Sequence, residues 1–233
     1  MKKRITTILV VIVAVCLLMV ACTDDRPNIQ KVSELVSNKQ TMMMIGTDEN
    51  FGVMVSQMHE EDVFVADGLV GKQTTNTTLV VKPLKADLLG KQYTYTLVGE
   101  KGSLSGELVK DNLGVTFKTK LEGIENIGAI KQVIVKYDDK EVAIDLADKM
   151  VGLDWQKVLK IAYETYQDKI DEAMDSKDGL KREVYIKMLS DKATLGGECY
   201  WYVSFIASRD DYWAVLIDTN GSVVNKREHC IKS

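Results

Sequence analysis

The sequence predicts a mainly β N-terminal sandwich followed by an α+β C-terminal domain, in which one helix lies on an antiparallel β-meander. Three observations predict this fold class. Residues 42–147 consist of short runs of Val, Thr, Tyr and Ile separated by Gly, Asn and Asp, which is typical of β-sandwiches. Apolar residues between 153 and 173 recur with the period of a helix. An Asn220-Gly221 pair then joins two of four further β-like runs as a hairpin.

Residues 1–21 have the features of an export signal. Basic residues at positions 2–4 precede an apolar run of fourteen residues from Ile8 to Ala21. A membrane-spanning helix needs about 20 apolar residues. The shorter run is therefore typical of a signal peptide.

The end of this run, Leu18-Met19-Val20-Ala21-Cys22, resembles the lipobox of bacterial lipoproteins. The resemblance implies cleavage before Cys22 and a diacylglyceryl group on the Cys22 thiol. It also implies an acyl-anchored (palmitate-type) protein on the extracytoplasmic face of the cell membrane, or on the outer membrane where the cell has one. The alternative is an ordinary secretory signal with an incidental cysteine.

Residues 22–41 predict a short polar tether and then a short helix over 28–38. The chain that follows the signal carries a net charge of −7. An acidic surface disfavours nucleic acid and anionic lipid headgroups as partners. Acyl chains rather than charge would therefore hold the protein at a membrane.

Residues 42–149 form the predicted sandwich, which resembles an immunoglobulin-like domain in size alone. The region contains neither Cys nor Trp, so the immunoglobulin core pattern of two cysteines and a tryptophan is missing. We predict strands near residues 42–46, 51–57, 62–66, 74–82, 92–98, 103–109, 113–119, 130–137 and 141–147. The Asp138-Asp139 pair joins the last two as a hairpin.

Residues 150–233 form the predicted α+β domain. Asp154 is the expected N-cap of its helix, because a side-chain oxygen there accepts a backbone N–H of the first turn. The helix should bury one apolar stripe, which comprises Trp155, Val158, Leu159, Ala162, Tyr166, Ile170 and Ala173. Four strands are predicted to follow, at Arg182–Leu189, Cys199–Ala207, Tyr212–Asp218 and Ser222–Arg227.

Part of this region resembles the PepSY domain. The resemblance lies in the aromatic-led run Trp201 to Phe205, a turn, and the run Val215 to Val224 with its Asp218-Thr219-Asn220-Gly221 turn. With the preceding helix it spans residues 153–227. PepSY domains occur in secreted and membrane-associated bacterial proteins and have a proposed role in restraining peptidases. The family has no catalytic residues, so the resemblance implies none in this chain.

The strand at 199–207 should have two unlike faces. Trp201, Val203 and Phe205 would point to the helix, whereas Tyr200 and Tyr202 would point away, where Tyr212 or Trp213 of the next strand can join them. A half-buried strand normally has a polar outer face. Either this aromatic face packs against the sandwich or against residues 176–197, or it is an exposed patch that binds a peptide, glycan or protein.

No catalytic or metal-binding set can be assembled from the sequence. The histidines, His59 and His229, are predicted on the surface, and no zinc spacing includes them. Acidic pairs at 24–25, 138–139 and 210–211 are explained by turn formation, with a weak calcium contact as the alternative. We therefore predict no cofactor, no metal and no enzyme activity.

The hairpin register argues against a disulfide between Cys199 and Cys230. Cys199 should lie opposite about residue 220 and Cys230 opposite about residue 211, at opposite ends of the sheet. Nine residues of strand span about 30 Å, whereas bonded cysteines have Cα atoms within about 7 Å. The two would pair only if the tail beyond Arg227 doubled back.

These patterns favour a non-catalytic extracytoplasmic lipoprotein that binds a protein or peptide at the cell envelope. Modulation of a peptidase is one specific version of that function. The alternative is a structural or adhesive surface protein in which the sandwich is the interaction domain.

Overall fold

A computed structural model describes residues 27–174, 179–190 and 197–230. The predicted export signal, Cys22 and the tether to Arg26 lie outside these residues. Within the described ranges the chain is mainly β, with thirteen strands and three α-helices. This confirms the predicted β-rich fold class.

The described elements follow one another along the chain with two short 3-10 turns, at Ala86–Leu88 and Ile124–Asn126. The helices are α1 (Asn28–Glu34), α2 (Trp155–Thr165) and α3 (Gln167–Met174). The strands are β1 (Val36–Thr47), β2 (Phe51–Glu61), β3 (Gln73–Pro83), β4 (Tyr93–Gly99), β5 (Ser103–Lys110), β6 (Phe117–Lys120), β7 (Ile130–Tyr137), β8 (Lys140–Asp145), β9 (Ala147–Asp148), β10 (Glu183–Ser190), β11 (Cys199–Ser208), β12 (Asp211–Asp218) and β13 (Val223–Cys230).

The strands pair in the order β13-β12-β11-β10-β1-β2-β3-β6-β5-β4-β7-β8, and β9 pairs with β1. The meander predicted for the C-terminal region is present as β10 to β13, with consecutive strands antiparallel. β1 is parallel to β10. Its first half therefore extends the C-terminal meander, and its second half pairs with β9.

Two clusters of buried side chains lie on either side of β1. The first cluster joins α1, α2 and α3 to the C-terminal strands, and it includes Met43 and Ile45 of β1. The second cluster consists of side chains from β2 to β8 and from the segments that connect them. Met42 and Met44 of β1 pack against it. Consecutive side chains of a strand point to opposite faces, so β1 contributes alternate residues to both clusters.

The predicted C-terminal helix begins as expected but is broken in its middle. The Asp154 carboxylate accepts the Lys157 N–H at 2.8 Å, which confirms the N-cap. The helical pattern is interrupted at Tyr166, whose hydroxyl donates to the Ala214 carbonyl at 2.9 Å. Its ring also packs against Phe205 and Trp213. Tyr166 has non-helical backbone angles, with φ −118° and ψ 20°, and therefore separates α2 from α3.

Several predicted element bounds are wrong. The first helix ends at Glu34 instead of residue 38, because the chain pairs with β10 from Val36 onward. The strand predicted at 62–66 is absent: residues 62–72 form a loop between β2 and β3. The strand predicted at 113–119 begins only at Phe117. Helical spacing and β-like composition are local properties, and long-range pairing overrides them.

The hairpin turns predicted at Asp138-Asp139 and at Asn220-Gly221 are confirmed. Asp138 adopts φ 49° between β7 and β8. Gly221 adopts φ 88° between β12 and β13, and the Asp218 carboxylate accepts the N–H groups of Asn220 and Ser222. Glycine tolerates positive φ without steric cost.

The register of the meander agrees with the positions predicted for the two cysteines. Asp211 lies opposite Cys230, and Tyr200 lies opposite Asp218, so Cys199 falls within one residue of its predicted place. Among the described residues Cys199 is a buried free thiol and Cys230 an exposed one. The cysteines are at opposite ends of the sheet and form no disulfide there.

At Gly46, β1 and β8 lie too close together for a side chain. A Cβ atom at Gly46 would lie 2.2 Å from the Asp145 carbonyl oxygen and 2.8 Å from Ile144 Cγ2. We expect Gly46→Ala to lower the free energy of unfolding by about 2 kcal/mol, because the backbone of β8 must shift. Gly90→Ala is the matched control, since no atom lies within 4 Å of its Cβ position. Equal urea midpoints for the two variants would contradict this close approach.

Candidate binding face

The meander has one face toward the helices and one face away from them. Trp201, Val203 and Phe205 of β11 are fully buried on the helix side, as predicted. On the other side lie four half-buried tyrosines from three adjacent strands. We call these four residues the tyrosine face: Tyr185, Tyr200, Tyr202 and Tyr212.

A cationic group lies beside the tyrosine face. Lys187 is opposite Tyr202 in the β10–β11 register. Its Nζ is 5.2 Å from the Tyr185 ring centroid and 6.0 Å from that of Tyr202. An ammonium group within about 6 Å of an aromatic centroid is attracted to the ring. Lys187 therefore contacts two rings of the face together.

The other two tyrosines have neighbours of their own. The Tyr212 ring centroid is 5.5 Å from that of His229 on β13. The Tyr200 hydroxyl donates a hydrogen bond to the Glu198 carboxylate. Burial raises the pKa of Tyr185 and Tyr202, and the hydrogen bond to Glu198 raises the pKa of Tyr200. A tyrosine phenol is protonated at neutral pH at its ordinary pKa, so a raised pKa leaves these three hydroxyls as hydrogen-bond donors.

Trp213, which was grouped with these tyrosines from the sequence, lies on the opposite face of the sheet. It is paired with Phe205 in register. The Arg182 guanidinium carbon is 3.9 Å from the Trp213 ring centroid, and the same guanidinium donates to both carboxylate oxygens of Asp211 at 2.9 and 3.0 Å. Tyr212 and Trp213 are consecutive, so strand alternation sends them to opposite faces.

Three hollows border the tyrosine face among the described residues, and one of them, of about 410 Å³, lies beside Tyr200. A hollow of about 220 Å³ lies between β12 and β13 and is lined by Tyr202, Tyr212, Leu216 and Arg227. A groove of about 540 Å³ runs along the junction of β1, β2 and β10. Its walls include Met54, Met58, Met188, Tyr185 and Lys187. Methionine side chains are flexible and adapt to varied apolar groups, so this groove suits an apolar segment of a partner.

The loop of residues 62–72 covers one end of the same sheet face. The Phe64 ring centroid lies 5.6 Å from that of Tyr185. A Cβ atom at Gly68 would lie 2.7 Å from the Lys181 carbonyl oxygen, so the loop backbone is in direct contact with the segment that leads into β10. Beneath it Glu183 is 0% exposed. The N-terminal part of the chain therefore covers the β10 end of the face, whereas the β11–β13 part stays half-exposed.

The sequence-based prediction of the site did not include two of its residues. Tyr185 and Lys187 alternate with buried Val184, Ile186 and Met188 on β10. That alternation is visible in the sequence and could have identified both. The groove beside β2 could not have been found in this way, because it requires β1 to pair with both β2 and β10.

The remaining candidates from the sequence have ordinary partners. His59 Nδ1 is 2.8 Å from the Thr75 hydroxyl, and Asp138 forms an ion pair with Lys91 at 2.7 Å. Partial burial and the nearby Lys39 lower the pKa of His59. Across residues 27–174, 179–190 and 197–230, no group of three or more His, Cys, Asp or Glu side chains is arranged to hold a metal ion.

No family model matches this chain, and no curated protein or solved structure matches it. Among the described helices none is long and apolar enough to cross a membrane. The helix and the two runs on which the PepSY resemblance rests lie in α2, β11, β12 and the start of β13. Membership of that family stays a prediction.

Proposed function

We propose that this protein is a non-catalytic lipoprotein on the extracytoplasmic side of the membrane that binds a protein or peptide through its tyrosine face. The sequence Leu18 to Cys22 supports the anchor. The observation that carries the binding role is the row of half-buried tyrosines on β10, β11 and β12, bordered by hollows. Tyrosine combines a large apolar ring with a hydroxyl donor, which is why it is enriched where proteins bind partners.

We further propose that residues 42–149 and 150–233 are two folding units, the first an immunoglobulin-like sandwich and the second a PepSY-like domain. The separation of the two buried clusters supports this division. Val32 and Val36 pack in the cluster of the C-terminal unit. In this proposal α1 and the start of β1 therefore belong with the second unit.

An extended peptide is the partner that the face suits best. The hollow beside Tyr202 and Tyr212 lies next to β13, the last strand in the pairing order. Apolar side chains of an extended segment would enter the hollow and the methionine groove, while Lys187 and Arg227 would attract acidic groups. A peptidase segment is one such partner, as the PepSY resemblance suggests.

Replacing the proposed anchor residue tests the first half of the proposal. We expect Cys22→Ala to move the protein from the membrane fraction to the soluble fraction, because the thiol that carries the acyl chains is removed. Mass spectrometry of the N-terminal peptide should show a diacylglyceryl adduct on Cys22 in the parent chain. Cys230→Ser is the matched control and should stay with the membrane. An unmodified Cys22 thiol in the parent would contradict the anchor.

Photo-crosslinking in cells tests the second half. A benzophenone amino acid is introduced at position 202 or 212 of the full chain. The matched control is position 163, a half-exposed tyrosine on the helix side. We expect one shared crosslinked protein from 202 and 212 and none from 163. The tyrosine face would be excluded if all three positions gave the same products.

The identified partner then allows a quantitative prediction. We expect the double substitution of Tyr202 and Tyr212 to Ser to weaken binding of the purified partner by about tenfold or more, because aromatic anchors at an interface each contribute over ~1 kcal/mol. Titration calorimetry measures the affinity. Unchanged affinity in a folded double variant would count against the tyrosine face.

A second candidate function is a structural or adhesive surface protein that binds through the sandwich. The observation that favours it is an open hollow of about 600 Å³ between β4, β5 and β7. Its lining includes Tyr93, Phe117, Tyr137, Lys91, Lys110 and Val109. Crosslinks from position 109 in place of 202 would favour this function over the first.

A further inference from the structure

The loop of residues 62–72 is unusually apolar for an exposed segment. Five of its side chains are exposed large hydrophobic groups, with Val63 77% and Leu69 68% exposed. The others are Phe64, Val65 and Val70. We call residues 62–72 the apolar loop. Grouped exposed apolar side chains on a protein surface mark a contact with another protein or with a membrane.

The apolar loop is held in one shape. At its base, the Asp62 N–H donates to the Lys72 carbonyl at 2.9 Å and the two side chains form an ion pair at 3.0 Å. At its tip, the Leu69 N–H donates to the Asp67 carboxylate at 2.9 Å. Gly68, at φ 82°, sits against the Lys181 carbonyl. The loop backbone is therefore fixed by hydrogen bonds and an ion pair while its apolar side chains point outward.

A series of contacts connects the apolar loop with the start of α1. Gly68 contacts Lys181. Arg182, which follows Lys181 in the chain, stacks its guanidinium on the Trp213 ring. Lys169 of α3 is 5.7 Å from the centroid of that ring. Asp171, two residues later in α3, accepts the Asn28 side-chain N–H at 2.9 Å. A short series of contacts thus joins the loop to the beginning of the described chain.

The sequence limits the distance between the proposed anchor and the start of the described chain. Cys22 precedes Pro27 by five residues, and five residues reach at most about 18 Å when fully extended. The acyl chains would therefore hold the bilayer surface near the start of α1. Between Val63 and Gly71 the single charged side chain is Asp67, whose carboxylate is already hydrogen-bonded to Leu69.

From this placement we infer that the apolar loop inserts its exposed side chains into the lipid surface beside the anchor. The inference rests on the proposed lipid attachment at Cys22. Apolar side chains with little charge enter the boundary between headgroups and acyl chains. A second contact beside the anchor would orient the protein, with the apolar loop and the start of α1 both toward the membrane.

Tryptophan fluorescence on vesicles tests the inference. The chain from Cys22 to Ser233 contains every residue of both buried clusters. With Cys230→Ser in place, its Cys22 thiol is coupled to a maleimide lipid in phosphatidylcholine vesicles, which reproduces the tether whatever group the cell attaches. Leu69→Trp reports from the loop. Leu113→Trp is the matched control, because Leu113 is an exposed leucine in a different turn and is 83% exposed.

We expect phosphatidylcholine brominated in its acyl chains to quench most of the emission that Leu69→Trp adds to the parent, and to leave the emission added by Leu113→Trp unchanged. Val63→Trp should behave like Leu69→Trp, which guards against a local defect of one variant. Equal quenching of the 69 and 113 reporters on tethered protein would overturn the inference. A concentration-dependent blue shift of Leu69→Trp without vesicles would also overturn it, in favour of a second copy. Failure of the native anchor would be seen separately, as an unmodified Cys22 in cells.

Discussion

Replacing Trp201 with Ala is expected to lower the free energy of unfolding by about 3–5 kcal/mol. Trp201 is 0% exposed and is among the largest fully buried side chains of the described residues. It lies in the first cluster, between the helices and the C-terminal strands. Its removal leaves a cavity that the surrounding sheet can fill only in part. Urea denaturation followed by far-UV circular dichroism measures the change.

Trp155→Ala is the matched control for Trp201→Ala. Trp155 is half-buried at the start of α2, and its ring centroid lies 4.4 Å from Lys39 Nζ. We expect a loss of about 1 kcal/mol, because an exposed cation–π contact and a partly exposed ring contribute less than a buried one. If the two variants unfolded at the same urea concentration, the packing described for the first cluster would be wrong.

Glu183→Gln is expected to make the protein more stable than the parent at alkaline pH, and equally stable at pH below about 4.5. Burial raises the pKa of Glu183, and the neighbouring carboxylates of Glu61 and Asp67 raise it further. The Ser37 side chain and the Gly68 backbone offset part of this rise in pKa. The raised pKa favours the neutral form of the buried group in the fold.

The sign of the pH dependence follows from this raised pKa. A group whose pKa is higher in the folded state than in the unfolded state stabilises the fold fully below its unfolded pKa. That stabilisation is lost as the pH rises through the folded pKa. The parent should therefore lose stability toward alkaline pH, whereas the Glu183→Gln variant, whose amide cannot ionise, should not. Denaturation curves at several pH values would measure the difference.

Glu107→Gln is the control for the charge change, because Glu107 is an exposed carboxylate on β5. It should leave the pH dependence of the parent unchanged. Hydrogen exchange at residues 62–72 gives a second measurement, since ionised Glu183 should loosen the apolar loop above it. A parent and a Glu183→Gln variant with parallel stability curves from about pH 4.5 to 9 would show that Glu183 is not buried as described.

The parts of the fold that local patterns control were predictable. On β11 the inward positions Trp201, Val203 and Phe205 were assigned correctly from the two-residue period of a strand. The helix N-cap at Asp154 and the Asn220-Gly221 hairpin were predictable for the same reason, because each depends on residues within a few positions of one another.

The candidate site was predictable only in part. Tyr200, Tyr202 and Tyr212 do share one face, and the sequence indicated this through alternation alone. The prediction allowed either Tyr212 or Trp213 to join that face. Strand alternation permits only one of two consecutive residues there, and Trp213 lies on the other face. Tyr185 became part of the site through the pairing of β10 with β11, which sets the register between two separate runs.

Local patterns were enough to establish the β-rich class, the order of the C-terminal helix and meander, and the register that keeps Cys199 away from Cys230. These features follow from periods and turns, which act over a few residues. The parallel pairing of β1 with β10 emerged only in the folded chain, where the Ser37 hydroxyl donates to the Val184 carbonyl 147 positions away. The position of the apolar loop above Glu183 emerged in the same way. Contacts between such distant residues depend on how whole elements pack, and no local pattern encodes that choice.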